Sequence, residues 1–243
     1  MKTIKLDAID STNTYLRQLS TQENVDDFTI VIAASQTAGK GQMGTKWEAE
    51  KGKNLTFSVF KKISCLETDE GFYISMATSL AIYNALKHFH IPKLAIKWPN
   101  DILSENQKIC GILIENVIQN SKMTAAIIGI GLNVNQTNFE VGLNASSLKK
   151  IIGTHFDLDE VLFQITEQLQ KYSHLITERA FEELKTAYES LLFRKDKPST
   201  FRNTNGELFM GFIQGIAEDG KLNVLLEDEI VVAFDLKEIK LMY

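Results

Sequence analysis

Cysteine is scarce in this chain of 243 residues, which holds only Cys65 and Cys110. Two cysteines build neither a disulfide framework nor a zinc pattern. The four histidines, His88, His90, His155 and His174, show no HExxH or other ligand spacing, so they read as surface or helix-end residues. No apolar h-region stands between Met1 and Asp10, so no signal peptide is expected. No apolar run approaches the length of a membrane-crossing helix. A reducing cytoplasm is the expected compartment. Basic charge is also in deficit: 26 Lys plus Arg against 31 Asp plus Glu gives a net charge of −5. That balance argues against broad nonspecific binding to nucleic acid, while leaving room for a local basic pocket.

What the chain does contain alternates between strand and helix signals. Thr3 to Ile9 reads as a strand and ends at Asp10-Ser11-Thr12-Asn13, a set of good helix N-caps. Tyr15, Leu16 and Leu19 follow at helical spacing. Thr29 to Ala34 and Asn54 to Phe60 read as strands on either side of a glycine-rich loop. Thr68 to His90 has a helical period, with Phe72, Met76, Leu80, Tyr83 and Leu86 on one face and Pro92 as its stop. Leu94 to Trp98, Lys108 to Asn116 and Met123 to Ile130 read as strands, with hairpin turns at Ser104 to Gln107 and Gln119 to Lys122. Asp157 to Tyr172 and Thr177 to Phe193 read as helices. The character changes near Asp196-Lys197-Pro198. Beyond it, Asn205-Gly206 and Asp219-Gly220 are hairpin turn pairs between short alternating strands, which predicts a small β-barrel after a boundary near Lys195.

The loop Gly39-Lys40-Gly41-Gln42-Met43-Gly44 matches GxGxxG. A dinucleotide-binding fold needs a helix directly after that loop, and Thr45 to Asn54 is polar and runs into a strand. A Walker A loop also fails, because Thr45-Lys46 inverts the required Lys-[Ser/Thr] order. Two readings stand: a solvated hairpin with turn glycines, or a lid whose backbone N–H groups meet an anion, with Lys40 and Lys46 for charge and Trp47 for stacking.

Other segments point further. Lys97-Trp98-Pro99-Asn100-Asp101 is followed by Lys108-Ile109-Cys110-Gly111-Ile112-Leu113-Ile114-Glu115 and by Gly129-Ile130-Gly131-Leu132-Asn133-Val134-Asn135. With Asp10-Ser11-Thr12-Asn13 and Ser35-Gln36-Thr37-Ala38-Gly39, these stand in the order seen in biotin protein ligases, and the chain resembles that family from about residue 4 to its end.

The resemblance implies an α+β fold. A mixed β-sheet catalytic domain with packed helices, of the class II synthetase and biotin–lipoate ligase kind, spans residues 1–195, and a small SH3-like barrel spans 196–243. It implies an enzyme that uses ATP, with Mg²⁺, to convert biotin to biotinyl-5′-AMP and then biotinylates a lysine of a biotin carboxyl carrier domain. By resemblance, Ser11, Thr12, Asn13, Gln36, Gly39, Lys40, Gly41, Gln42, Lys108, Gly111 and Gly131 serve biotin. Lys40, Gln42, Trp47, Lys97, Asn100, Lys108, Asn133 and Asn135 serve the nucleotide. Lys108, Lys40 and Asp101 carry the catalysis, and no protein metal site is assigned. Lys97 and Lys108 also suit surface strands, and Asp101 also suits a turn cap. Trp98 and Cys110 read as core residues.

The loop departs from the Gly-Arg-Gly-Arg-Arg-Gly form common among relatives: Lys40, Gln42 and Met43 occupy the arginine places. Lysine keeps the charge and loses the bidentate fork. With the Ser-Thr-Asn segment already at residue 11, no N-terminal DNA-binding domain is expected, and a monomer or homodimer is. The competing readings are a lipoate-type ligase, a non-catalytic biotin- or nucleotide-binding module, and a DNA-binding repressor.

Overall fold

The computed structural model describes residues 2–243. Strand β1 (Thr3–Ile9) leads into helix α1 (Thr12–Gln22), capped by the Ser11 side chain, which accepts from Thr14 N–H. Strands β2 (Thr29–Gln36) and β3 (Leu55–Lys62) flank the glycine-rich loop, and helix α2 (Phe72–His88) follows. Strands β4 (Ala95–Lys97), β5 (Asp101–Ser104), β6 (Gln107–Gln119) and β7 (Lys122–Leu132) complete a seven-stranded sheet in the order β1-β2-β3-β7-β6-β5-β4. Among the described residues, β1 and β2 are the only neighbouring strands of this sheet that pair in parallel; the others are antiparallel. Helices α3 (Leu148–Ile152), α4 (Leu158–Thr177) and α5 (Phe181–Ser190) follow.

The two expected hairpin turns are present as two-residue connections. Glu105-Asn106 and Asn120-Ser121 all have positive φ, the geometry whose twist matches paired strands. The segment before the first turn is a strand of its own, β5, which hydropathy alone did not separate from the loop around it. The long helix departs from its expected one-faced pattern. Ile74, Ala77, Ala81, Ile82 and Ala85 are buried as well as Met76, Leu80 and Leu86. The cause is position: α2 lies between the sheet on one side and α4 and α5 on the other, and a helix enclosed on all sides is apolar on all sides.

The sheet has two unlike faces, and strand alternation assigns residues to each. Leu55, Phe57, Val59, Ile112, Ile128 and Ile130 join the large core beneath α2. Phe60, Val31, Ala125 and Ile127 pack on the opposite face against Leu16 of α1. That second face carries Thr56, Ser58, Gly111, Leu113, Glu115, Gly129 and Gly131, and it holds the site.

Strands β8 (Pro198–Asn203), β9 (Leu208–Ile216), β10 (Leu222–Leu226), β11 (Val231–Phe234) and β12 (Ile239–Met242) form an antiparallel sheet in the order β11-β10-β9-β8-β12. Where a small SH3-like barrel was expected, the structure has a five-stranded antiparallel sheet. Its edges are β11 and β12, which do not pair with each other among the described residues. Phe201, Ile213, Ile216, Leu222, Val224 and Ile239 belong to the same buried cluster as α2, so the core runs through both parts. Trp98, expected in the core, is partly buried against it, and its Nε1–H donates to Gly220 O at 2.9 Å. Among the described residues no helix is long and apolar enough to cross a membrane.

Candidate active site

Strand register lays the site out as a row across the sheet. Thr56 pairs with Gly131, Gly131 with Gly111, Gly111 with Asp101, and Asp101 with Lys97. The row is polar at the β3 end, has no side chains in the middle, and is charged at the β4 end. A cavity of 390 Å³ lies over it.

The bare middle is filled by Trp47. A Cβ on Gly131 would stand 2.3 Å from Trp47 Cε2, and one on Gly111 3.1 Å from Trp47 Cζ3. The two glycines thus form a trough that only an absent side chain could leave open. Trp47 is carried there by a short hairpin. Lys40 bridges Lys46, Gly41 N–H donates to Thr45 O at 2.7 Å, and Trp47 N–H donates to Gly39 O at 3.0 Å. A 3₁₀ turn at Gln42–Gly44 makes the tip, where Met43 has φ 56°. The glycine-rich loop is therefore a hairpin, as the first of its two readings has it, and it forms one wall of the cleft. Gly39 lies at the hairpin base outside the cleft lining, tight against Trp47 O and Gln36 Nε2.

At the charged end, Lys108 Nζ lies 2.6 Å from Asp101 Oδ1 and 5.8 Å from the centre of the Trp47 ring. Lys97 Nζ lies 3.5 Å from Asp101 Oδ2. Asp101 is 8 % exposed, so this ion-paired group is no solvated turn cap. Lys108 reaches the cleft through a bulge. The pairing shifts between Ile102 and Leu103, and Ile109 and Cys110 both turn into the core. That extra residue puts Lys108 back on the face of Gly111, three positions along, where plain alternation would oppose them. Asn100 lines the cleft while its Nδ2 donates to Ile112 O at 2.7 Å.

Five lysines line the cavity, Lys40, Lys46, Lys97, Lys108 and Lys240, against the single carboxylate of Asp101. In a chain of net charge −5, this is a local reversal of sign. Lys40 and Lys46 face each other across the hairpin, and among the described residues neither has a carboxylate within 4.0 Å. Like charges in that position repel unless an anion lies between them.

At the polar end, Ser11, Thr12 and Asn13 start α1 and are buried. Thr12 donates to Gln36 Oε1 from its N–H at 2.8 Å and from its hydroxyl at 3.0 Å. This leaves Gln36 Nε2 as the free donor end of that amide. Trp47 Nε1–H is also buried, with no acceptor among the described residues.

The structure brings together Ser11, Thr12, Asn13, Gln36, Lys40, Gly41, Gln42, Trp47, Lys97, Asn100, Asp101, Lys108, Gly111 and Gly131. It does not bring Asn133 or Asn135 to the cavity, which corrects their assignment to the nucleotide. Asn133 Nδ2 donates to Ser146 O at 3.0 Å, and the Asn135 amide closes two bonds with the Phe156 backbone. Both side chains are consumed in holding the segment after β7. Cys110 is buried and burial pushes its thiol far up, so it stays an uncharged core group as expected.

Thr56, Ser58 and Lys240 carry no role in the sequence reading, and Gly129 enters it only as part of its motif. Alternation within Asn54 to Phe60 would have put Thr56 and Ser58 on one face, and alternation along β7 groups Gly129 with Gly131. Lys240, on a strand of the second sheet, carries no such signal. Among the described residues no group of three or more His, Cys, Asp or Glu is clustered to hold a metal.

Known proteins share the sequence and the fold of this chain. Residues 6–133 match the model of the biotin/lipoate A/B protein ligase family. The bifunctional ligase/repressor BirA of Bacillus spizizenii is 30 % identical over 229 residues, covering 92 % of this chain and 68 % of that protein. A biotin–[acetyl-CoA-carboxylase] ligase of Paracoccus denitrificans is 28 % identical, over 79 % of this chain and 82 % of its own. The structure of the biotin protein ligase from Aquifex aeolicus in complex with biotin and ATP superposes with a TM-score of 0.83 at 26 % identity, covering 99 % of this chain and 98 % of that one. On sequence and fold together, the chain belongs to the biotin/lipoate A/B protein ligase family.

Proposed function

We propose that this protein is a biotin protein ligase. It joins biotin to ATP, giving biotinyl-5′-AMP and pyrophosphate, and passes the biotinyl group to a lysine of a biotin carboxyl carrier domain. The observation that carries this reading is the register row. One cleft, with Trp47 seated on the two glycines at its middle, joins a polar end suited to a ring with N–H and C=O groups to a cationic end suited to phosphates. A dithiolane ring offers no hydrogen-bonding partner to Thr12 and Gln36, which favours biotin over lipoate.

In the first step a carboxylate oxygen of biotin bonds to the α-phosphorus, and the bond from that phosphorus to the bridging oxygen breaks. Pyrophosphate leaves with the electron pair. Two anions must meet, and the Lys108 ammonium, held by Asp101, stands where it lowers their repulsion and the charge of the transition state. Lys40 and Lys46 relieve their mutual repulsion on the polyphosphate, with Gln42 beside them. Lys97, Asn100 and Lys240 border the same end. Trp47 offers its ring to the adenine and its free Nε1–H to an acceptor in the trough.

Mg²⁺ fits as part of the nucleotide substrate. The cleft offers one carboxylate, already engaged by two lysines, and Mg²⁺ is commonly held by phosphates and water. In the second step the carrier amine attacks the acyl carbon, the bond to AMP breaks and the amine loses a proton. The hairpin over the cleft keeps water from the mixed anhydride.

Residues 1–195 act as the catalytic unit. Residues 196–243 act as a second unit that supplies Lys240 to the cleft and braces the β4–β5 region through Trp98. A monomer or homodimer in the cytoplasm, acting on a carrier protein and not on DNA, completes the proposal.

The deciding experiment is pyrophosphate release with ATP and Mg²⁺ in the presence of biotin or lipoate. Biotin-dependent release is expected; a signal with lipoate alone would replace this reading by a lipoate ligase, and no signal with either would refute catalysis.

A further inference from the structure

A line of buried side chains leads from the polar end of the cleft to a carboxylate outside it. Asn13 Nδ2 donates to Glu115 Oε2 at 2.8 Å and, over a longer 3.4 Å, to Leu113 O. Ser58 Oγ lies 2.5 Å from Asn13 Oδ1 and 2.7 Å from Thr12 Oγ1. Thr12 in turn meets Gln36 Oε1. Asn13, Ser58 and Thr12 are 3 %, 0 % and 3 % exposed, so water does not compete for these bonds. Gly129 makes the space: a Cβ there would stand 2.4 Å from Asn13 Oδ1. Arg17 lies 3.8 Å from the other oxygen of Glu115, and Glu115 does not line the cleft itself.

The direction of each bond follows from what each group can do. A carboxylate only accepts, so Glu115 takes the Nδ2 end of Asn13 and turns Oδ1 to Ser58. Asn13 Oδ1 only accepts, so the one hydroxyl hydrogen of Ser58 goes there. Ser58 Oγ is then an acceptor toward Thr12. The one hydroxyl hydrogen of Thr12 has two acceptors within the protein, Ser58 Oγ and Gln36 Oε1. Thr12 Oγ1 therefore offers the cleft a lone pair and no hydrogen. Gln36, fixed by Thr12 N–H, offers its Nε2 hydrogens.

We infer that Glu115 is a positioning residue for ring recognition. From outside the cleft it holds in place, through Asn13 and Ser58, the Thr12 hydroxyl that stands as an acceptor beside Gln36 as a donor, the pair that matches an N–H and a C=O of a cyclic urea. This rests on the reading of the chain as a biotin ligase and names a residue that holds its ring site in place.

The test is calorimetric binding of biotin, desthiobiotin and ATP to the full chain and to Glu115→Leu, Glu115→Gln and Ser58→Ala. Glu115→Leu leaves Asn13 Nδ2 with only its long bond to Leu113 O, so Asn13, and Ser58 and Thr12 behind it, lose their fixed placement and the dissociation constants for biotin and desthiobiotin rise about tenfold. ATP binding is unchanged, because the lysine end is untouched. Glu115→Gln still presents an oxygen to Asn13 and keeps biotin binding within about twofold of wild type. Ser58→Ala breaks the line without altering Glu115 and weakens both ring ligands, which decides the matter should Glu115→Leu fail to fold.

Equal biotin binding by wild type and Glu115→Leu, or by wild type and Ser58→Ala, would overturn the inference, as would Glu115→Gln falling as far as Glu115→Leu. Wild type binding ATP but no biotin would overturn the ligase reading and this inference with it.

Discussion

The Lys108 ammonium and the Asp101 carboxylate meet at 2.6 Å across β5 and β6, and Asp101 faces Lys97 at 3.5 Å on its other side. The cluster is one positive charge in excess and only partly open to solvent. Lys108→Ala is expected to lower the rate of biotin-dependent pyrophosphate release by about 100-fold or more, the scale for loss of a fixed transition-state contact. Asp101→Asn keeps the shape and loses the charge that orients both lysines, so a smaller fall is expected. Single-turnover adenylation measures both; full activity in Lys108→Ala would remove it from the chemistry.

The trough predicts a steric result. In Gly131→Ala the new methyl meets the Trp47 indole, where overpacking costs about 1–3 kcal/mol. The indole and the hairpin that carries it shift, and ATP affinity falls more than biotin affinity. Trp47 fluorescence reads the displacement directly; an unchanged spectrum and unchanged ATP binding would contradict the assignment of the trough.

By the resemblance read from the sequence, Gln42 and Met43 stand at arginine places of the loop. We expect Gln42→Arg to slow dissociation of biotinyl-5′-AMP, because a guanidinium forms two parallel bonds to phosphate. The release rate from preloaded protein is the measurement. Release from wild type as slow as from the variant would show that the lysines already supply the hold.

Lys240 tests whether the second sheet takes part in the site. It lines the cleft and is exposed, and no carboxylate lies within 4.0 Å of it among the described residues. Lys240→Ala should raise the KM for ATP by about two- to fivefold at low salt, leave the KM for biotin alone, and lose most of its effect at high salt. A salt-independent change would point to packing.

Cys110 and Tyr188 predict the alkaline limb of stability. Burial pushes both acids far above their ordinary values of 9.0 and 10.0, so the folded state keeps their protons. The unfolded chain releases them above about pH 9 and pH 10. Stability is therefore full below pH 9 and declines as pH rises, at up to about 1.4 kcal/mol per pH unit per group. Melting temperatures from pH 8 to 10.5 should show the fall, and Cys110→Ala should soften its first part. A flat profile for the wild type would contradict the burial of these groups.

Much of the fold was legible in the sequence because its signals are local. Alternation marked the strands, Ser11 marked the start of α1, and polar pairs marked the hairpins. Period and turn chemistry act over a few residues, so the chain displays them directly. The family also rested on local segments, Lys97 to Asp101 and Lys108 to Glu115.

Other features depend on neighbours brought from far along the chain. Hydropathy could not show that α2 is enclosed on both sides. It could not separate Asn133 and Asn135, held by the backbone of residues 146 and 156, from Asn100, which lines the cleft. The spacing of Lys108 and Gly111 would by itself set them on opposite faces, and only the bulge at Ile109 puts them on one.

The sequence by itself determined the elements, the order of its motifs and the kinds of chemical group available. The tertiary structure decided which of them meet. Strand pairing set Thr56, Gly131, Gly111, Asp101 and Lys97 in one row, and packing brought in Trp47 and Lys240. The physical reason is that a hydrogen-bonded register and a packed face are properties of pairs of segments, which no single segment carries.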